Sequence, residues 1–152
     1  MELSSLVQQI QYMLAPGIMI SSSALLLLGY QTKFSNLFNR FRALNQEKRL
    51  LAQKSKREVG EDERLENLKE QLVRLFKRAG YVKNAIVLTY AAIISFIATS
   101  VFLFVNNYTD SEFIYLTLSC FLLGLTLVLL GSLLMLAEVS LSFHILQLER
   151  KS

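Results

Sequence analysis

Few side chains in this sequence are of a kind that performs chemistry, and their spacing limits what they can do. The 152 residues include one histidine, His144, and one cysteine, Cys120. Cys120 sits among apolar residues and reads as a small filler. With a single Cys there is no disulfide framework and no Cys-based zinc cluster. Glu138 ends a long apolar stretch, and His144 follows six residues later. On a helix that step puts the two on different faces, so no shared metal site is expected. The sequence has no glycine-rich phosphate loop, no His-Glu-x-x-His and no Gly-x-Ser-x-Gly. The expectation is therefore a protein without cofactor or catalytic residues, and not an enzyme.

The chemistry left to Glu138 is electrostatic. Thr117, Gly124, Gly131 and Glu138 recur every seven residues and form one stripe down a helix. Small residues in such a stripe let a neighbouring helix approach closely. The acid at its end could then hold a cation, or pair with a Lys or Arg from another segment. The pairing is the favoured reading. Weaker small-residue seams are Gly17, Ser21 and Ala24, and Ala91, Ser95 and Thr99.

The elements that carry these residues are set by uncharged runs. Leu3 to Thr32 is thirty residues without a charge, Asn84 to Asn106 twenty-three and Phe113 to Ala137 twenty-five. About 20 apolar residues cross a hydrocarbon core of roughly 30 Å. A backbone in lipid must satisfy its own hydrogen bonds, so each run is expected to be a transmembrane helix. The expected fold class is an all-α integral membrane protein with three transmembrane helices and a cytoplasmic antiparallel helical hairpin between spans one and two.

Charge gives the orientation. Residues 31–83 carry fourteen Lys/Arg against seven Asp/Glu, and Arg150 and Lys151 follow the third run. Glu2, Asp110 and Glu112 are the only charges near the other ends. The positive-inside rule puts the central segment and the C-terminus in the cytoplasm and the N-terminus outside. The first basic residue, Lys33, follows the first apolar stretch, so a cleavable signal peptide is not expected. The boundaries are 1–32 for an N-terminal amphipathic segment and first span, 33–82 for the hairpin, 83–106 for the second span, 107–112 for an external loop, and 113–152 for the third span and tail.

Within the first segment, Pro16 and Gly17 predict a break, because proline lacks the amide that closes the turn onto the Tyr12 carbonyl. Either residues 3–14 lie as an interfacial helix and Pro16 opens a short span, or one kinked helix carries its glutamines into an interior or a pore. The residues that would line a pore or pack helices are Gln8, Gln11, Pro16, Ser22, Gly124, Gly131 and Glu138.

In the hairpin, Phe34, Leu37, Phe38, Phe41, Leu44 and Leu51 recur at three- and four-residue steps, and so do Leu65, Leu68, Leu72, Leu75, Phe76 and Ala79. Both sets fit the a and d positions of a coiled coil, with Lys48 interrupting the first. Gly60 marks the bend, and Glu61, Asp62 and Glu63 suit the positive end of a second helix. Seven interleaved acids and the lack of an aromatic platform argue against nucleic acid. Lys33, Arg40, Arg42, Lys77, Arg78 and Lys83, near the membrane ends of the arms, suit anionic lipid instead.

The whole pattern resembles a small bacterial three-span membrane family known only as a domain of unknown function. The resemblance rests on Ala15 to Gly17, the Ser/Ala/Leu run Ser21 to Leu28, the Arg40 and Arg42 pair opening a charged helical segment, and two closing spans, and it covers about residues 5–148. It implies a bacterial inner-membrane location and brings no activity or catalytic residue. Two functions remain expected alternatives. One is a non-enzymatic self-associating or accessory subunit whose hairpin binds a partner. The other is an oligomeric channel or transporter whose pore is lined by the polar face of the first helix. Expected partners are the lipid bilayer and either further copies of the chain or another membrane protein.

Overall fold

The computed structural model consists of three helices in series: α1, Leu3–Gln53; α2, Glu61–Asn106; and α3, Ile114–Glu149. It describes residues 3–53, 60–106 and 114–149, with the side chains of 7, 10–53, 60–106 and 114–140. Glu2, Asp110, Glu112 and the side chains of Gln8 and His144 lie outside the described residues. Every described element is a helix, and each is long and apolar enough to cross a membrane.

At 1.5 Å per residue, α1 and α2 are about 75 and 70 Å long, more than twice the thickness of a hydrocarbon core. Both helices therefore run on past the bilayer as a hairpin of their own. They are antiparallel. Gln31 meets Tyr90, Phe41 meets Phe76, and Glu47 meets Arg64, so the α2 number falls as the α1 number rises. The same holds between α2 and α3, where Arg78 meets Glu138 and Phe96 meets Phe121. The middle helix is α2, with α1 and α3 packed against it.

The hairpin turns at Gly60, whose φ of 100° is open to glycine and strained for other residues. The Gly60 carbonyl accepts the first helical bond of α2, from the Arg64 amide at 3.1 Å. Glu61, Asp62 and Glu63 occupy the first turn, where the exposed amides favour negative charge.

Pro16 does not break α1. The helix continues through it, so the amphipathic segment and the span are one element. Pro16 is among the most deeply buried residues, and a neighbouring helix can hold a transmembrane proline whose own ladder bond is missing. The buried face of α1 then runs Pro16, Ser23, Tyr30 and Leu37 at seven-residue steps, with Leu27 beside it. Gly17, Ser21 and Ala24 are exposed and do not form a seam within the chain. A helix that is apolar all round carries little sequence signal for which side meets its neighbours.

Most of the hairpin's expected core is enclosed. Leu37, Leu68, Leu72 and Leu75 are buried, and Phe34, Phe41 and Leu44 pack at the edge. Phe38 and Phe76 are exceptions, 45% and 72% exposed. They project from one side of the pair, and Phe76 touches Phe41 only at a ring separation of 6.5 Å.

Candidate functional site

The site begins at α3, whose seven-residue stripe lies wholly inside the bundle. Thr117, Gly124, Gly131 and Glu138 are all buried. A side chain on Gly124 would come within 2.6 Å of the Phe96 ring, and one on Gly131 within 3.3 Å of the Ala85 carbonyl. Glycine is therefore what allows α3 to lie against α2 at these two levels. One turn beyond Gly124, the Ser95 hydroxyl donates to the Cys120 carbonyl across the interface at 2.6 Å. The stripe thus packs helices within one chain.

At the end of the stripe, Glu138 is fully buried and joins all three helices. Arg78 on α2 donates through Nε and Nη2 to Oε1, both at 3.0 Å. Lys33 on α1 forms an ion pair with Oε2. One turn further into the span, Tyr30 and Ser132 share a hydrogen bond of 3.3 Å between α1 and α3. On the opposite side of the α1–α2 pair, Gln31 donates to Tyr90 Oη at 2.9 Å.

These contacts form a polar belt at the height where the apolar runs end. A buried charge is tolerable only when paired and hydrogen-bonded, and here two cations meet one carboxylate. The belt ties the three helices at one level, and among the described residues it sets two cations against one carboxylate. Its groups hold each other in place and present no free nucleophile. No group of three or more His, Cys, Asp or Glu residues is arranged to hold a metal ion among the described residues.

The other residues singled out by the sequence are dispersed. Gln11 and Ser22 are exposed on the outer side of α1, eleven residues apart and so on one face. Lys33 and Arg78, expected at lipid headgroups, turn inward because Glu138 needs both. Arg40, Arg42, Lys77 and Lys83 are exposed. Ala91, Ser95 and Thr99 lie along α2, the last two buried against α3.

Sequence reasoning missed Ser23, Tyr30 and Phe96, all buried between helices. A signal for the first two was present. The hairpin positions Leu44 and Leu37, stepped back by seven, lead through Tyr30 and Ser23 to Pro16. Phe96 had no such signal, since its place depends on the gap at Gly124.

Fold and belt together define an all-helical protein whose three helices are each long and apolar enough to cross a membrane, the first two continuing into a hairpin. The chain belongs to the family described as "Protein of unknown function (DUF2721)", whose model matches residues 13–148. No curated protein and no solved structure matches it.

Proposed function

We propose that the protein is a non-enzymatic subunit of the bacterial inner membrane that presents its hairpin to a cytoplasmic partner or to further copies of itself. The observation that carries this is the apolar surface left on the water-facing arms. Leu50 and Val73 are 62% and 70% exposed, well beyond the charge-free runs. Side chains of this type projecting from a hairpin outside lipid suit a protein contact. The charge distribution supports a cytoplasmic hairpin and C-terminus with the N-terminus outside. Because α1 and α2 pass from span to hairpin without interruption, a partner bound at the arms would act directly on the spans.

The test is cross-linking of the full chain in membranes, followed by purification. Recovery of oligomers or of one co-purifying cytoplasmic protein is expected, with both reduced by Leu50→Asp or Val73→Asp. A strictly monomeric protein with no cross-linked partner would overturn the reading. Thiol labelling of single-cysteine variants at Ser55 and Thr109, in a Cys120→Ala background, checks the sidedness.

One observation favours a second reading, an oligomeric channel or transporter. Gln11 and Ser22 face outward from the bundle along one side of α1, where a ring of copies would turn them toward an axis. Three spans are too few to enclose a path alone. Solute flux through liposomes that falls on Gln11→Leu would favour this reading, and liposomes that pass nothing would remove it.

A further inference from the structure

A groove of about 360 Å³ opens between α1 and α2 on the side away from α3. Phe34, Phe38, Phe41 and Phe76 supply its walls, Gly80 its floor, and Lys83 a charged end. We propose that this groove binds an anionic phospholipid of the leaflet from which the hairpin emerges. The aromatic walls would take the glycerol and first acyl methylenes, and the cations at the rim the phosphate.

Three observations lead there. The first is depth. The groove starts at Phe34, next to the Lys33–Glu138 pair, and extends to Phe41, about 10 Å along the axis. The polar layer of one leaflet is about 5–8 Å thick, so a groove that starts where the apolar runs end spans the headgroup layer, with the acyl chains just below its Phe34 end.

The second is charge. Around this level the described residues carry six cations, Lys33, Arg40, Arg42, Lys77, Arg78 and Lys83, and one acid, Glu138. Glu138 engages Lys33 and Arg78 on the far side of the pair. Arg40, Arg42, Lys77 and Lys83 make no ion pair among the described residues. Arg42 is fixed over the Phe38 ring at 4.6 Å, which sets a guanidinium at the rim. Among the described residues no acid lines the groove. A second copy bringing the same four cations would be repelled, whereas an anionic headgroup is complementary.

The third is shape. Below the groove, the Gln31–Tyr90 hydrogen bond bridges the two helices. Within it, Gly80 leaves open space, since an added side chain there would meet nothing within 4 Å. Gly80 thus borders open space in mid-helix, where alanine would be the better helix former by about 1 kcal/mol, and a long side chain placed there would extend into the groove. The inference requires that the spans lie in a bilayer, and is independent of whether the hairpin binds a protein.

Native mass spectrometry of the full chain in neutral detergent, with phosphatidylglycerol or phosphatidylcholine added, provides the test. One phosphatidylglycerol per copy should be retained in preference to phosphatidylcholine. Lys83→Gln should weaken that retention about fivefold, the effect of one interfacial charge. Gly80→Leu should fill the groove and remove the preference while leaving every charge in place. Equal retention of the two lipids would overturn the proposal. So would loss in Lys83→Gln with none in Gly80→Leu, which would mean diffuse attraction to a basic surface. A dimer that excludes lipid and dissociates in Gly80→Leu would overturn it too, in favour of a second copy as the occupant. Arg64→Gln, at the distant end of the hairpin, should retain lipid as the unaltered chain does.

Discussion

The two halves of α2 use one register and two chemistries. From Leu68 to Val82 the buried positions are Leu68, Leu72, Leu75 and Val82. From Ala85 to Thr99 they are Ala85, Thr89, Ala92, Ser95, Phe96 and Thr99. The inward face keeps one register, with Arg78 filling the seven-residue step from Leu75 to Val82, but bulky aliphatic residues give way to small and hydroxylic ones around a single phenylalanine, Phe96. The change falls near Arg78, where Glu138 is held. In water, a helix pair gains stability by removing leucine surface from solvent, about 25 cal/mol per Å². In lipid that reward is absent, because the tails are as apolar as leucine. Close approach and interhelical hydrogen bonds must then hold the helices together. The same helix obeys both rules, one on each side of the boundary.

The contrast can be broken at the boundary first. Glu138→Gln leaves Lys33 and Arg78 facing each other without a counter-charge, and should cost about 3 kcal/mol, read as a fall in the thermal midpoint in detergent. A midpoint unchanged within error would show that the belt does not couple the two halves. Next comes the water side. Leu72→Ala should cost about 2–3 kcal/mol, with faster amide exchange over residues 61–75 and little change over 85–99.

On the lipid side the expected behaviour reverses, since there addition does the damage. Gly124→Val drives a side chain into Phe96 and should cost about 2 kcal/mol, most of it recovered by the added change Phe96→Ala. Failure of that rescue would mean the close approach of α2 and α3 does not depend on this pair. A smaller effect is expected from Ser95→Ala, which removes the bond to the Cys120 carbonyl. About 0.6 kcal/mol is typical of such bonds, measured as a shift in reversible unfolding in micelles. The smallest concerns Arg64 and Glu47, paired at 2.5 Å with side chains 66% and 38% exposed. Solvent screening reduces an ion pair of that kind to at most about 0.5 kcal/mol, so Arg64→Gln should be nearly silent and wholly silent in high salt.

Individual residues show why the sequence was legible to different degrees. The stripe from Thr117 to Glu138 could be read because glycines every seven residues stand out in a leucine-rich helix. Leu68, Leu72 and Leu75 could be read because polar residues separate them, which marks a buried side in water. The inner face of α1 could not be read the same way. Leu25 is 72% exposed and Leu27 8%, yet both are leucine, since in lipid either side of a helix can be apolar. Pro16 signalled a break that packing overrode. Lys33 and Arg78 looked like the rest of the basic belt, and only their position opposite Glu138 sets them apart.

The sequence by itself determined the number of spans, the existence of a hairpin on the first two and the place of its turn. Those follow from the lengths of charge-free runs, heptad spacing and one glycine at a bend, all of which act locally along the chain. The tertiary structure alone decided that α2 is the central helix, and that one acid claims two of six similar cations. It also decided that Gly80 and four phenylalanines surround an open groove. These are relations between helices, fixed by how closely the backbones approach and by the need to pair a buried charge.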